Sequence, residues 1–430
     1  MLGPFLLAER RRALSGSPYF MECMRMNTSR KDEFYLEFTG GIPGGIFVSD
    51  AIPVEKNALK ELDTIRKLAE DFSALFATYP DFFGGQAPRF AALSVSPDFH
   101  KGTGVPIGTT LLAENVAIPA LMGGDIGCGM QFVTTDIRAS EFPGVKDRLI
   151  KELRGIFFEG KRDLPLLGDE VKALFSGRLA LMADALRKHR GSLWESLGDL
   201  SAVRWQDAVF SEKVLGQLAD FTGVSRSAHL GSIGGGNHFV EIQSVDKIFE
   251  HTVVGKGCLG IMIHSGSLSI GTAARMYIQD RLKDIYPPGA KKPEAGFYPL
   301  PLAENGRHTG VAGEILGLIR NVLNFAAANR VTLGLMAEKA LRNCGLNGSF
   351  RIFHDAAHNV MSEYGGETRM LHRKGSTPAE LMEPVIIPGS MGTASYLLRG
   401  FGNELALQSA AHGAGRAVAR QESMREERRL

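Results

Sequence analysis

Four cysteines are few for 430 residues. Cys23, Cys128, Cys258 and Cys344 stand far apart and form no CxxC pair. That excludes a disulfide framework and a zinc ribbon, and makes a reducing cytoplasm the expected setting. Charge of one sign is also missing: 49 Lys and Arg against 47 Asp and Glu leave a net charge of +2. No overall basic field exists to hold nucleic acid non-specifically, so any such contact must come from a local patch. No uninterrupted apolar run reaches the roughly 18 residues that cross a bilayer. The opening MLGPFLLAERRRALSG sets Glu9 and three arginines behind a short apolar stretch, a poor secretory signal. We therefore expect a soluble, cytoplasmic protein with no membrane partner. A GxxxxGK[ST] phosphate loop is absent. Gly255-Lys-Gly-Cys-Leu-Gly260 matches GxGxxG, but it leads into the strand-like IMIH instead of a helix, so the dinucleotide context fails.

What the chain has is glycine, 51 residues of it, within an ordinary composition of 44% apolar and 22% charged residues. Disordered and fibrous classes are excluded. Residues 1–50 read as an irregular N-terminal extension, and 51–430 as the catalytic domain. From Asn57 to Phe76 the apolar positions Leu59, Leu62, Ile65, Leu68, Phe72 and Leu75 fall at helical spacing. Further helices are expected at about 169–190 and 313–329. Short apolar runs at Ala117–Met122, Phe239–Ile242, Leu259–Ile263, Arg351–Phe353 and Val385–Ile387 read as buried strands feeding loops. The Pro- and Gly-rich segment 286–310 reads as a long surface loop. The fold class is α+β, with mixed short strands and peripheral helices.

Histidines beside glycine, asparagine or strand ends carry the chemical signal. In GGDIGCGM, Asp125 and Cys128 lie three residues apart in a turn whose glycines permit unusual backbone angles. A thiolate can bridge two metal ions and a carboxylate suits a harder ion such as manganese. The same pair could equally be a cap and a small buried thiol. His238, His264 and His358 sit in similar settings, and neutral imidazole is the commonest metal ligand. HDAAH (His354, His358) has the i, i+4 spacing of HExxH on a possible helix, but Asp355 replaces the glutamate, which argues against a zinc protease. Pro388–Met391, Ser395 and His412–Arg416 offer backbone N–H groups, hydroxyls and a guanidinium suited to phosphate. Arg373-Lys374-Gly-Ser-Thr, taken alone, reads as a solvated basic loop.

Together these segments resemble the RtcB family of GTP-dependent RNA ligases. The resemblance rests on PDFHKGTGVPIG (97–108), VAIPALMGGDIGCGM (116–130), GGGNHFVEI (234–242), HSGS, NFAAANR (324–330), AHN (357–359), RKGST, PVIIPGSMGTASY (384–396) and HGAGR, in the family's order. It implies an RtcB-like fold around a central dinuclear metal cleft. The implied reaction joins an RNA 3′-phosphate or 2′,3′-cyclic phosphate to a 5′-hydroxyl, with GTP and two Mn2+ ions, in RNA repair or tRNA splicing. By the same resemblance Cys128 bridges the metals, Asp125 and His238 complete one site, and His264 and His358 the other. His412 is the histidine that becomes guanylylated. Asn237, His238, Phe239, Val240 and Glu241 contact the nucleotide, with Glu241 on the guanine side. His358, Asn359, Pro388, Gly389, Ser390, Met391, Ser395, His412, Gly413, Ala414 and Gly415 are the remaining nucleotide contacts. Arg373, Lys374 and Arg416 are candidates for RNA phosphates, and an activating protein is a candidate partner.

The chain departs from the pattern in three places. Leu268 follows HSGS where the family has arginine, and Ala419 replaces a serine. Only 18 residues follow His412, and this arginine-rich tail lacks the aromatic ring and terminal lysine that cover guanine in the family. These departures motivate an alternative, a metal-dependent phosphoesterase or cyclic-phosphate hydrolase that has lost nucleotidyl transfer. A non-catalytic RNA- or partner-binding protein ranks third.

Overall fold

The computed structural model describes residues 28–49, 55–159, 200–209, 230–250, 252–303, 308–390 and 393–414. The helix expected at 169–190, Cys23, Met391, Gly415, Arg416, Ala419 and the tail lie outside these residues. In chain order the main elements are β1 (Thr28–Arg30), β2 (Tyr35–Phe38), β3 (Gly44–Phe47), α1 (Lys56–Thr78), β4 (Arg89–Thr103), β5 (Val105–Glu114) and β6 (Val116–Ala117). There follow β7 (Gly129–Arg138), α2 (Lys146–Phe158), β8 (Phe239–Ser244), β9 (Cys258–Ser265), α3 (Leu268–Ile285), β10 (Leu300–Pro301) and α4 (Thr309–Asn343). The last are β11 (Phe350–Ala357), β12 (Asn359–Glu363), β13 (Arg369–Lys374), β14 (Ser376–Pro378), β15 (Pro384–Ile387), β16 (Tyr396–Arg399) and β17 (Ser409–Ala411). The mixed α+β character matches the expectation.

The chain divides into two compact units. The first comprises residues 1–123, 281–312 and 361–430, and the second 124–280 and 313–360.

In the first unit a seven-stranded sheet runs β1-β2-β3-β4-β5-β13-β12. Residues 28–47, expected to be irregular, supply three of its strands. The glycines that disguised them are there for close approach: a Cβ on Gly44 would lie 1.8 Å from the carbonyl oxygen of Leu93 on β4. Helix α1 forms where its spacing predicts. Leu59, Leu62, Ile65, Leu68, Phe72 and Leu75 are all buried, in one core with Leu93, Val95 and Leu111 of β4 and β5. The run Ala117–Met122 is only partly strand. β6 ends at Ala117, and Pro119 opens a 3-10 turn, since its ring removes the N–H a ladder needs. Part of the expected surface loop is also core, because Leu300 and Pro301 pair with β6 and are buried; residues 304–307 lie outside the described set.

His372 of β13 is wholly buried in this unit. Its Nε2 accepts from the Ile118 N–H at 2.9 Å, and its Nδ1 faces the Leu111 carbonyl at 3.2 Å. Only the neutral ring with Nδ1 protonated satisfies both. Burial lowers its pKa from 6.5 to about 4, against the opposing pull of the Leu111 and Met370 backbone groups. Above pH 6.5 the ring is neutral folded and unfolded. As pH falls toward 4, the unfolded chain gains a proton that the folded chain refuses. We expect about 3 kcal/mol of stability to be lost across that window through this residue. Urea unfolding at pH 7 and pH 4.5 checks it: His372→Gln should lose measurably less between the two pH values than the unaltered chain.

The second unit is built on a four-stranded antiparallel sheet, β11-β7-β9-β8. All eight residues of β9 are buried. The expected helix at 313–329 extends to span Thr309–Asn343. It is long and apolar enough to cross a membrane, although no unbroken apolar run shows it, but 67% of its apolar window is buried. Val331, Leu335, Ala337 and Leu341 pack into one core with Val133 of β7, Ile261 and Ile263 of β9 and Ile352 of β11. Asn324, Asn329, Arg330 and Glu338 on the same helix are buried and polar. It is the core helix of this unit. Residues 354–357 of HDAAH lie on β11, with His358 just after it, and not on a helix, which removes the premise of the HExxH comparison: only helical winding sets residues i and i+4 one turn apart, whereas an extended chain spaces them far along the strand.

Candidate metal cluster and histidine site

The five residues read as metal ligands come together in the second unit, at the ends of β7, β8, β9 and β11. The β7–β9 register sets Met130 opposite His264, and the β8–β9 register sets Phe239 opposite the same histidine. Cys128 just precedes β7, and His358 just follows β11, its N–H donating to the Cys128 carbonyl at 2.8 Å. Cys128 Sγ lies 3.3 Å from His238 Nε2 and 3.2 Å from His264 Nε2. His264 Nε2 lies 3.4 Å from His358 Nε2, and His238 Nε2 lies 3.0 Å from Asp125 Oδ2. Two groups able to hold a metal ion result, Cys128–His264–His358 and Asp125–Cys128–His238. They share the sulfur.

The rings are aimed. His238 Nδ1 meets the Ile233 carbonyl and His264 Nδ1 the Asn237 carbonyl, each at 3.0 Å, so both Nε2 atoms face the cluster. Asp125 Oδ1 accepts the Leu268 N–H at 3.1 Å, at the N-terminus of α3. Gly266 is needed beside it: a Cβ there would fall 2.5 Å from the carboxylate. Burial alone would raise the Asp125 pKa, but the His238 contact and the Leu268 N–H outweigh it and hold the carboxyl below its usual range. Burial and the neighbouring Asp125 charge push the Cys128 thiol well up. The metal-free thiol therefore keeps its proton, and an arriving cation displaces it. A thiol, a carboxylate and three imidazoles within reach of one another are a donor set that fits divalent transition ions.

Of the other residues matched in this unit, Asn359 Nδ2 donates to the Asp125 carbonyl at 3.2 Å and its own carbonyl accepts the Gly127 N–H, closing the turn that carries Asp125 and Cys128. Phe239 packs edge-on against His264, Val240 lies between them on β8, and Glu241 accepts a hydrogen bond from Gln243. Asn237 is exposed.

His412 lies in the first unit, directly after β17, which pairs with β14. Its Nδ1 is 2.9 Å from Asp98 Oδ2. The N–H groups of His412 and Gly413 also converge on that oxygen, at 3.2 and 3.1 Å, while Ser96 Oγ donates to the other at 2.5 Å. Burial would raise the Asp98 pKa; the His412 contact and the Ser96 hydroxyl prevail and lower it. Asp98 is carried on β4 where the register with β5 shifts between Val95 and His100, a bulge that re-aims side chains. The His100 ring stacks over His412, with centroids 6.2 Å apart and planes at 19°. Glu55 and Glu61, at the start of α1, accept the N–H groups of Lys101 and Gly102 at 2.8 and 2.6 Å and pin this strand from outside.

Three expectations change here. Arg373 and Lys374 are buried on β13 and form no solvated loop. Arg373 Nε donates to Ser409 Oγ at 2.8 Å, bracing the start of β17, and Lys374 Nζ donates to the Thr103 and Val105 carbonyls at 3.0 and 2.7 Å. Burial brings the Lys374 pKa down to about 8, with Glu61 opposing. In the Pro388–Ser395 loop the N–H groups read as a phosphate nest are engaged: Gly389 donates to Ser395 Oγ at 3.0 Å and Ser390 to Thr393 Oγ1 at 2.8 Å. The His412 and Gly413 N–H groups are likewise held by Asp98, leaving Ala414 exposed beyond them. Sequence reading missed Asp98, although it is the one acidic residue of β4. Replacing Asp98 by asparagine keeps the shape and removes the charge that orients His412. The rate of any covalent chemistry at His412 is expected to fall by roughly 10²–10⁴-fold, measured in rapid-quench experiments.

The second unit thus carries two three-residue groups able to hold a metal ion that share one sulfur, and the first unit carries an imidazole beside a buried carboxylate. The sequence profile described as "tRNA-splicing ligase RtcB" matches residues 86–429. The chain is 32% identical to the tRNA-splicing ligase RtcB of Nanoarchaeum equitans over 368 residues, covering 76% of this chain and 73% of that one. It is 29% identical to the tRNA-splicing ligase RtcB of Thermococcus kodakarensis, with 78% and 74% covered, and 28% identical to the RNA-splicing ligase RtcB of Escherichia coli K12, with 77% and 75% covered. The chain belongs to the RtcB family of RNA ligases. Helix α1 and the three strands before it precede the matched region.

Proposed function

We propose that this protein joins an RNA 3′-phosphate, or a 2′,3′-cyclic phosphate after opening, to a 5′-hydroxyl, using GTP and two Mn2+ ions, in cytoplasmic RNA repair or tRNA splicing. The observation that carries the reading is the retention of the whole donor set around Cys128 together with an oriented His412.

With Nδ1 facing Asp98, His412 presents Nε2 as the nucleophile. Nε2 forms a bond to the α-phosphorus of GTP and pyrophosphate leaves. The GMP then passes to the RNA 3′-phosphate, which frees His412. The 5′-hydroxyl attacks the activated phosphorus, loses its proton, and GMP departs. Asp98 stabilises the positive charge that the imidazole gains in the first step. Asp125, Cys128 and His238 would hold one metal ion, and Cys128, His264 and His358 the other. When bound, the ions supply charge stabilisation for the transferring phosphoryl oxygens.

Lys374 is a candidate phosphate contact that stays mostly charged at pH 7 even with its pKa brought down to about 8 by burial. The guanine side of the site is assigned to Glu241.

The test is incubation of the full chain with GTP, Mn2+ and an RNA pair bearing 3′-phosphate and 5′-hydroxyl ends. The expected result is joined RNA and a GMP adduct on the protein, seen by mass spectrometry with GTP and with none of the other three NTPs. Opening of a cyclic phosphate without joining and without GTP would sink this reading in favour of the phosphoesterase.

A further inference from the structure

Every ligand-bearing segment of the sulfur-centred cluster is tied to one adjacent pair of residues on α4, Asn329 and Arg330. Both are buried, as is Asp355. Arg330 grips Asp355 through two bonds, Nε to Oδ2 and Nη2 to Oδ1, each 2.7 Å. Its Nη1 donates to the Gly127 carbonyl at 2.7 Å and to the Ser265 carbonyl at 3.1 Å. Gly127 immediately precedes Cys128, Ser265 immediately follows His264, and Asp355 lies on the strand that delivers His358. Gln131 of β7 donates to the same Asp355 carboxylate at 3.1 Å.

Asn329 reaches the remaining segment. Its Oδ1 accepts the Gly231 N–H at 2.8 Å. Its Nδ2 lies 3.0 Å from the Ser232 carbonyl, 3.0 Å from Ser265 Oγ and 3.3 Å from the Gly266 carbonyl. Ser265 Oγ in turn donates to the Ile233 carbonyl at 2.8 Å, the oxygen that also receives His238 Nδ1. The loop leading to His238 is thereby fastened to the loop following His264.

Neither residue is itself among the candidate ligands; each hydrogen-bonds backbone or polar groups one to several residues from one. A guanidinium costs a great deal to bury, and replacing a buried ion pair by apolar residues is often neutral or stabilising. A staple for the fold alone therefore had cheaper solutions. What a planar fork supplies is fixed geometry between segments that are distant in sequence.

We infer that Asn329 and Arg330 are positioning residues that pre-set the spacing of Cys128, His238, His264 and His358, so that the protein pays little reorganisation when it takes up metal. This deepens the metal reading and rests on it.

The test is titration of the metal-free full chain with Co2+, whose thiolate charge-transfer and ligand-field absorption reports the sulfur and the coordination geometry. The variants are Arg330→Lys, which keeps the charge and loses the fork, and Asn329→Ala, which unties the two loops without burying a new charge. The unaltered chain should bind Co2+ with a thiolate band. Each variant should bind roughly 10–100-fold more weakly, the range typical of groups that support ligands from behind, with altered ligand-field bands. Circular dichroism and thermal unfolding of the metal-free variants establish that they are folded. If Arg330→Lys does not fold, Asn329→Ala decides the matter. Unchanged affinity and spectrum in a folded variant would overturn the positioning role while leaving the metal reading intact. An unaltered chain that takes up no Co2+ would overturn the metal reading, and this inference with it.

Discussion

Replacing His412 by alanine is expected to abolish the covalent GMP adduct and all RNA joining, while leaving Co2+ uptake unchanged. The imidazole is held beside a buried carboxylate in a setting suited to nucleophilic attack. Asp98 Oδ2 lies 2.9 Å from Nδ1 and also accepts the N–H groups of His412 and Gly413, which sets the carboxylate beside the ring. Gly375 leaves room beside it, since a Cβ there would stand 3.1 Å from His412 Cε1 and 2.0 Å from Ile107. Loss of the nucleophile removes the step entirely, whereas loss of its orienting carboxylate only slows it, as predicted for Asp98→Asn. The two variants together separate nucleophile from orienter. Mass spectrometry after exposure to GTP and Mn2+ supplies the readout; an adduct that persists in His412→Ala would assign the chemistry to another residue.

Cys128→Ala is expected to have an effect of similar size by a different route. Both three-residue groups contain this sulfur, so one substitution removes a ligand from each. The retained histidines and Asp125 would lack the sulfur common to both groups, and metal affinity at both should fall by orders of magnitude. Elemental analysis after dialysis should find less than one ion per chain, and the Co2+ thiolate band should vanish. RNA joining is expected to be lost with it. By contrast, His358→Ala strips only one of the two groups and should leave a single ion bound through Asp125, Cys128 and His238. Two ions retained by Cys128→Ala would remove the basis for the shared-sulfur reading.

Much of this was legible in the residues. The amphipathic period of α1 predicted its buried face because 3.6-residue spacing is a local property. Asp125, Cys128, His238, His264 and His358 could be nominated through the family's motifs, since a buried thiol or a histidine at a strand end, taken alone, is commonly structural. Other features were not legible, for reasons that are equally physical. Glycines at 44 and 45 look like a loop until the neighbouring strands are seen to press against them, the parallel β4 on Gly44 and β2 on Gly45. HDAAH has helical spacing on paper, yet the pairing of β11 with β7 makes it a strand. Arg373 and Lys374 look like a solvated patch, because sequence carries no sign that the Thr103, Val105 and Gln408 carbonyls and the Ser409 hydroxyl lie within their reach.

The sequence by itself determined the donor inventory and the family, since these depend only on residue type and order. Tertiary structure alone decided the distances within the two donor groups, that Asp98 holds His412, and that Asn329 and Arg330 fasten the ligand segments. Those contacts join residues tens to hundreds of positions apart. Their distances are set by sheet register and helix packing, which no local pattern encodes.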